Sequence, residues 1–278
     1  MNGDREFQFT DRNFNVLKEL AAQFTGIALS DAKRNMVYSR LAKRVRALGL
    51  ENFDDYCDLL RQGDSDEVGN FVNAITTNLT SFFRENHHFQ YLSNTLLPHL
   101  KKEKSRERRL RVWSAGCSTG EEPYSLAITL GEFFKNERGW DVKILATDLD
   151  TNVLDKARRG VYAADQIKSI PASVVRRWFI KGTGANADAV KLRDAARQMI
   201  TFKQLNLMEE WPMRGPFDFI FCRNVVIYFT KETQRVLFDR YANLLVEQGH
   251  LFIGHSETLY KVSNRFDSLG QTIYRKKS

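Results

Sequence analysis

From Leu110 onward the chain alternates apolar strand-like runs with helical ones, and no other feature narrows the fold as far. The strands are Leu110–Ala115, Val142–Thr147, Met199–Lys203, Phe217–Cys222 and His250–Gly254. Between them, Glu121–Lys135, Thr151–Arg158 and Lys231–Glu247 have helical spacing. The strand runs are apolar on both faces, as strands buried between two helix layers are, and strands separated by helices run parallel. The expectation is an α/β chain with a doubly wound, mainly parallel sheet. A short last strand, Thr272–Arg275, reads as an edge. Residues 160–198 break the rhythm: the turn-rich Gly182-Thr183-Gly184-Ala185-Asn186 separates Arg176–Lys181 from Val190–Arg193, which predicts a small antiparallel β insertion.

Residues 1–97 read as an all-α domain. Phe14, Leu17, Leu20, Ala21 and Phe24 recur at helical spacing and stop at Gly26. Ser30 and Asp31 stand where an N-cap belongs, before a helix carrying Val37, Leu41, Val45 and Leu48. Further helices are expected from Asn52 to Gly63, from Asp66 to Thr77 and from Glu85 to Leu97. Residues 98–109 (PHLKKEKSRERR) are charged and poor in apolar side chains, so they read as a solvated linker, leaving 110–278 for the sheet domain. The length of 278 residues suits two domains at roughly 150 each.

Cys57, Cys117 and Cys222 are odd in number and widely spaced, which fits a reducing compartment better than a disulfide framework or a metal cluster. The five histidines show no metal-ligand spacing, so no metal is expected. No run of 18 apolar residues exists, and the opening MNGDREFQFT lacks a signal-peptide core. The expectation is a cytoplasmic chain without membrane insertion. The formal charge of +8 favours an acidic partner without choosing among nucleic acid, membrane and protein. Lys33, Arg40 and Arg44 share one stripe of the helix that follows Ser30.

Gly116-Cys117-Ser118-Thr119-Gly120-Glu121-Glu122 follows a strand and opens a helix. Glycines there allow a tight turn and close approach to a ligand. Two carboxylates at the helix start repel a pyrophosphate and exclude the phosphate-cradling loops. They suit a ligand with positive charge, or simply cap the helix dipole. The next strand ends Thr147-Asp148-Leu149-Asp150, where an acid accepts hydrogen bonds from ribose hydroxyls. Asp150 or Thr151 then caps the following helix.

These features, taken with TTNLTSFFR (76–84), WSAGCSTGEEPYSLAI (113–128), LNL (205–207), CRNVVIYF (222–229) and GHLFIGHSETL (249–259), resemble the S-adenosylmethionine methyltransferases, and within them the chemotaxis receptor methyltransferases of the CheR family. The resemblance implies a helical N-terminal domain on a Rossmann-like methyltransferase domain with a small β subdomain. It implies methyl transfer from S-adenosylmethionine to glutamate side chains in the cytoplasmic helical region of chemoreceptors, giving methyl esters and S-adenosylhomocysteine. Carried over residue by residue, the cofactor contacts fall on Asn78, Thr80, Arg84, Glu122 (or its neighbour Glu121), Asp148, Asn206 with Leu207, and Asn224 with Val225. Within the family the β subdomain can dock a short peptide at the C-termini of some receptors.

The chemistry is consistent with these residues. A glutamate is ionised at neutral pH and needs no general base to attack a sulfonium methyl; alignment is the main requirement. Arg84 can hold the carboxylate of the cofactor or of the substrate bidentately, or be spent on an interdomain ion pair. Tyr228 either touches the reacting centre or packs beside Phe229. Asn206 and Asn224 offer donor–acceptor pairs for an adenine edge, or serve as turn residues after strands. An RNA or other acidic partner is the competing substrate. Adenine amino-methylation pairs with prolines after the Asn of strand four, whereas Val225-Val226 follow Asn224 here, so nucleic acid is not expected.

Overall fold

The computed structural model describes residues 5–277. Its first unit is a bundle of α1 (Asp11–Thr25), α2 (Arg34–Ala47), α3 (Phe53–Arg61) and α4 (Ser65–Ile75). The caps follow the sequence closely. Thr10 accepts from the Asn13 N–H and Gly26 ends α1 at φ 73°; Asn52 caps α3 and Asp64 caps α4. Ser30 makes no side-chain cap; a short 3-10 turn, Asp31–Lys33, leads into α2 instead. Phe14, Leu17, Val37, Leu41, Val45, Phe53, Tyr56, Leu60 and Phe71 form a core that belongs to this bundle.

Half of the expected linker is helix. α5 (His87–Tyr91), a π-helical stretch Leu92–Leu96 and α6 (Leu97–Glu103) form one run that crosses residues 98–103. Its charges face outward while Leu96, Leu97 and Leu100 are buried against the sheet. Lys104 reaches the buried Asp218 carboxylate at 2.5 Å. Phe82, Phe89 and Leu92 share that same core, so the segment after Ile75 packs with the sheet rather than with the bundle.

The sheet strands are β1 (Arg109–Ala115) and β2 (Asp141–Asp148), joined by α7 (Glu121–Phe134). After α8 (Thr151–Arg159) comes the insertion: β3 (Val161–Ala163), α9 (Ala172–Trp178), β4 (Phe179–Lys181), β5 (Ala189–Leu192) and α10 (Asp194–Arg197). The main sheet resumes with β6 (Ile200–Gln204), β7 (Phe217–Cys222), α11 (Lys231–Leu244), β8 (Leu245–Ile253), β9 (Phe266–Gly270) and β10 (Ile273–Lys276). The order is β6-β2-β1-β7-β8-β10-β9, parallel up to β8 and antiparallel across the last hairpin. The expected edge strand at 272–275 is therefore interior, and β9 is the edge. β9 escapes a sequence reading because only Phe266 of its five residues is buried.

The insertion is an antiparallel sheet ordered β3-β5-β4. It is anchored on α7 by Trp178, whose indole N–H donates to Glu132 at 2.7 Å and whose ring fills the space beside Gly131. Cys57, Cys117 and Cys222 are all free and buried. Among the described residues no helix is long and apolar enough to cross a membrane.

Candidate active site

A cavity of about 450 Å³ opens at the C-terminal ends of β1, β2 and β7, with the bundle forming its far side. β1 has β2 on one side and β7 on the other. Ligands of open parallel sheets sit where the winding reverses in this way.

The glycine loop forms the floor. Gly116 (φ 83°) and Gly120 (φ 99°) are in the left-handed region, and a Cβ on Gly116 would lie 2.3 Å from a Val225 methyl. Any larger residue at 116 collides with the wall that Val225 supplies. Asp148 stands at the end of β2. One carboxylate oxygen accepts from the Ser118 N–H at 2.7 Å and the other from the Asp150 N–H at 3.0 Å. Burial pushes its pKa up to about 6, against these hydrogen bonds, which favour the ionised form.

The two adjacent glutamates have different fates. Glu121 turns away from the cavity and accepts from Thr119 and Gln166. Glu122 lines the cavity, accepts from Ser114 Oγ at 2.7 Å, and pairs with Arg223 at 3.2 Å. Burial raises the Glu122 pKa while Arg223 opposes that rise. Of the two glutamates, Glu122 alone lines the cavity.

Arg223 is the residue that sequence reasoning missed. It is 6% exposed, pairs with Glu122, donates to the Arg84 carbonyl at 2.7 Å and reaches His88 Nδ1 at 3.3 Å. Its guanidinium lies against the rings of Phe89 and Phe221. His88 is fully buried, which pushes its pKa down to about 4 and keeps it neutral. Its Nε2 then donates to the Gln271 carbonyl at 3.0 Å, leaving Nδ1 to accept from Arg223.

Asn78, Thr80 and Arg84 all line the cavity. Asn78 is held by Asp150 at 2.8 Å, and its carbonyl accepts from Ser118 Oγ at 3.0 Å. Arg84 donates one N–H to the Leu79 carbonyl at 2.8 Å and has no carboxylate partner among the described residues. The rest of its fork is therefore available to a ligand. Tyr228 and Val225 line the same cavity, as do Leu207, Asn206 and Asn224. The Asn206 amide is already engaged: it donates to the Phe24 carbonyl at 2.8 Å and accepts from the Met208 N–H at 3.0 Å, tying the bundle to the sheet domain. Asn224 holds a left-handed conformation (φ 59°), and its N–H donates to the buried Glu257 at 3.0 Å.

The basic stripe is mostly spent within the bundle. Arg40 donates to the carbonyls of Ala74 and Thr76, and Arg44 pairs with the buried Glu67. Of the three bases in that stripe, Lys33 alone borders the cavity. Glu85, His87 and His88 gather within 4.8 Å, a grouping that the spacing of the histidines did not suggest, although both His88 nitrogens are already hydrogen-bonded.

Residues 78–275 match the family model described as the CheR methyltransferase SAM binding domain, and residues 12–76 match the CheR methyltransferase all-alpha domain. The chain is 45% identical over 275 residues to chemotaxis protein methyltransferase 2 of Pseudomonas aeruginosa, covering 98% of this chain and 95% of that one. It is 43% identical over 268 residues to the chemotaxis protein methyltransferase of Escherichia coli, covering 95% and 91%. The protein of that name from Borreliella burgdorferi is 38% identical over 259 residues, covering 89% and 90%.

Proposed function

The chain belongs to the CheR methyltransferase family, and on that premise we propose that it methylates glutamate side chains of chemoreceptors in the cytoplasm. Its cofactor is S-adenosylmethionine. The observation that carries the reading is a single cavity to which both matched units contribute. The unit at 12–76 supplies one side and the unit at 78–275 the other, with Asp148, Glu122 and Arg84 converging on the space between.

The donor set fits the cofactor. A carboxylate at the end of β2 suits ribose hydroxyls, a guanidinium with free N–H groups suits the amino-acid carboxylate, and the buried carboxylate of Glu122 suits the cationic end. The volume lies within the range of roughly 300–1,000 Å³ typical of small-ligand pockets. We assign cofactor contacts to Asn78, Thr80, Arg84, Glu122, Asp148, Leu207, Asn224 and Val225, with Asn206 bordering the same space while its amide holds Phe24 and Met208. When bound, S-adenosylmethionine supplies an activated methyl group on a sulfonium.

The chain's own task is then alignment and water exclusion. Arg223 fixes the Arg84 carbonyl and the Glu122 carboxylate at once, so the two charged groups stay in register. Arg84 orients a carboxylate by a forked pair of hydrogen bonds. Tyr228, whose carbonyl accepts from Ala28 of the bundle at 2.8 Å, stands at the mouth where the acceptor glutamate enters. No base is required, because that glutamate is ionised at neutral pH.

The β insertion supports a second contact with receptors. The outer face of its sheet carries Val161, Lys191 and Ile180 in one register row, with Val161 and Ile180 exposed, and β3 and β4 are open edges. An added receptor-tail strand on such an edge is the mode we assign to it.

The test is calorimetric binding of S-adenosylmethionine and S-adenosylhomocysteine, followed by labelled-methyl transfer to receptor-containing membranes. Binding near micromolar affinity, about −8 kcal/mol, with base-labile label on the receptor is the expected result. Absence of binding to either ligand rejects the enzymatic reading.

A further inference from the structure

Two apolar side chains at the mouth of the cavity are held on fixed backbone yet left in water. Leu79 is 81% exposed and Ile227 is 47% exposed, and both border the cavity. The residue before Leu79 is pinned twice, by the Asn78 bond to Asp150 and by Ser118 on the Asn78 carbonyl. The Leu79 carbonyl itself accepts from Arg84. Across the mouth, the Ile227 N–H donates to Glu257 at 3.3 Å, and the carbonyl of the next residue accepts from Ala28. Leaving aliphatic surface in water forgoes the stabilisation that burial brings. Presenting it on an ordered backbone lowers the entropic cost of covering it when a partner arrives. Such side chains, once covered by a partner, add desolvated apolar contact beside the reactive pocket.

The surroundings say what covers them. Lys33 borders the same mouth, is exposed, and makes no ion pair among the described residues. The rim therefore combines two apolar contacts with unpaired positive charge. An amphipathic helix with acidic residues and with aliphatic side chains one turn to either side of a glutamate presents the complementary pattern, since positions three and four apart share a helix face.

We propose that Leu79 and Ile227 determine substrate specificity by gripping the aliphatic neighbours of the acceptor glutamate on an acidic amphipathic helix, with Lys33 pairing to its acids. This rests on the receptor-glutamate reading above and names the sequence context that reading leaves open. The two side chains come from different parts of the chain, the segment entering the sheet domain and the turn after β7. A helix that touches both is thereby centred over the cavity.

The test uses the full chain and a receptor cytoplasmic fragment, with Leu79→Ser, Ile227→Ser and Leu79→Met. Each serine variant is expected to raise KM for the receptor about tenfold, with kcat changing less than twofold and the S-adenosylhomocysteine dissociation constant unchanged. Leu79→Met should restore most of the loss. On receptor fragments whose aliphatic residues flanking the glutamate are changed to serine, the serine variants should lose little further. An unchanged KM in both serine variants overturns the proposal, as does a fall in kcat at constant KM. Wild-type enzyme that binds the cofactor but leaves the receptor unlabelled overturns the receptor reading and this inference together.

Discussion

The two walls of the cavity are built on different principles. On the sheet side the polar groups are buried and linked to one another: Ser114 donates to Glu122, Glu122 pairs with Arg223, Arg223 holds the Arg84 carbonyl, and Asp148 collects two backbone N–H groups. On the bundle side the lining runs from Thr25 to Met36 and takes in Ile75, with Ala28, Ser30 and Lys33 exposed, and meets the other wall through a handful of hydrogen bonds. These are Ala28 to Tyr228, Asn206 to Phe24, Asn73 to Thr151 at 3.0 Å and Thr76 to Asp150 at 2.9 Å. The preorganised wall can hold charge at low reorganisation cost. The lightly tied wall can part from it to exchange ligands without breaking a core.

The sharpest way to break that contrast is Arg223→Ala. It leaves Glu122 buried with Ser114 as its remaining partner, and removing one member of a buried pair costs about 3–5 kcal/mol. Denaturant unfolding should show a loss of that size. Burial already raises the Glu122 pKa and Arg223 restrains it, so without the cation the ionised form becomes costlier. The loss should accordingly be greater at pH 8 than at pH 5. A denaturation midpoint equal to wild type would show that the sheet wall does not depend on this ion pair.

Next in size is Asp148→Asn, expected to weaken cofactor binding roughly 10- to 100-fold, about 1.4–2.7 kcal/mol, the range of hydrogen bonds to a charged group. Because burial lifts the Asp148 pKa to about 6, wild-type affinity should hold above that pH and fall below it as the carboxylate takes up a proton. The same raised pKa works in the opposite sense on the ligand-free fold: the stability owed to protonated Asp148 is present below about pH 4 and lost as pH rises through 6. In the Asn variant the bend in affinity should vanish; a bend that persists would assign the titration to another group. The smallest effect belongs to the bundle side. Asn73→Ala removes two bonds to Thr151 and should cost about 1 kcal/mol of stability, with cofactor affinity within twofold by calorimetry. A tenfold loss of affinity would mean that the two walls are equally preorganised.

What was legible in the sequence follows the same division. The glycine loop, Asp148 and the alternation of strands and helices are local signals, each set by a few neighbouring residues. Arg223 was not legible, because a cation between Cys222 and Asn224 looks like the interruption of a strand. Its partners Glu122, Arg84 and His88 lie about 100 residues or more away. Asn206 could be placed beside the cavity from its motif, but nothing local shows that its amide is taken by Phe24. Arg40 and Arg44 make the same point on the bundle: helical spacing gives their shared face, and only the fold shows that the carbonyls at the end of α4 and the buried Glu67 occupy it. The supposed linker at 98–109 misled because its lysines and arginines outnumber its one leucine, and Leu100, buried in line with Leu96 and Leu97 just before it, decides its packing.

The interior position of β10 bears on the order in which the molecule is made. Phe266–Lys276 leave the ribosome after every other described element, yet β10 must seat beside β8, and the carbonyl of Gln271, in the turn before it, accepts a hydrogen bond from His88 Nε2. That bond fixes which nitrogen of His88 is left to face Arg223. A nascent chain therefore displays its glycine loop and both acids some 120 residues before the arginine behind them gains its last support. The glycine loop is thus made well before the hairpin that completes the support behind it.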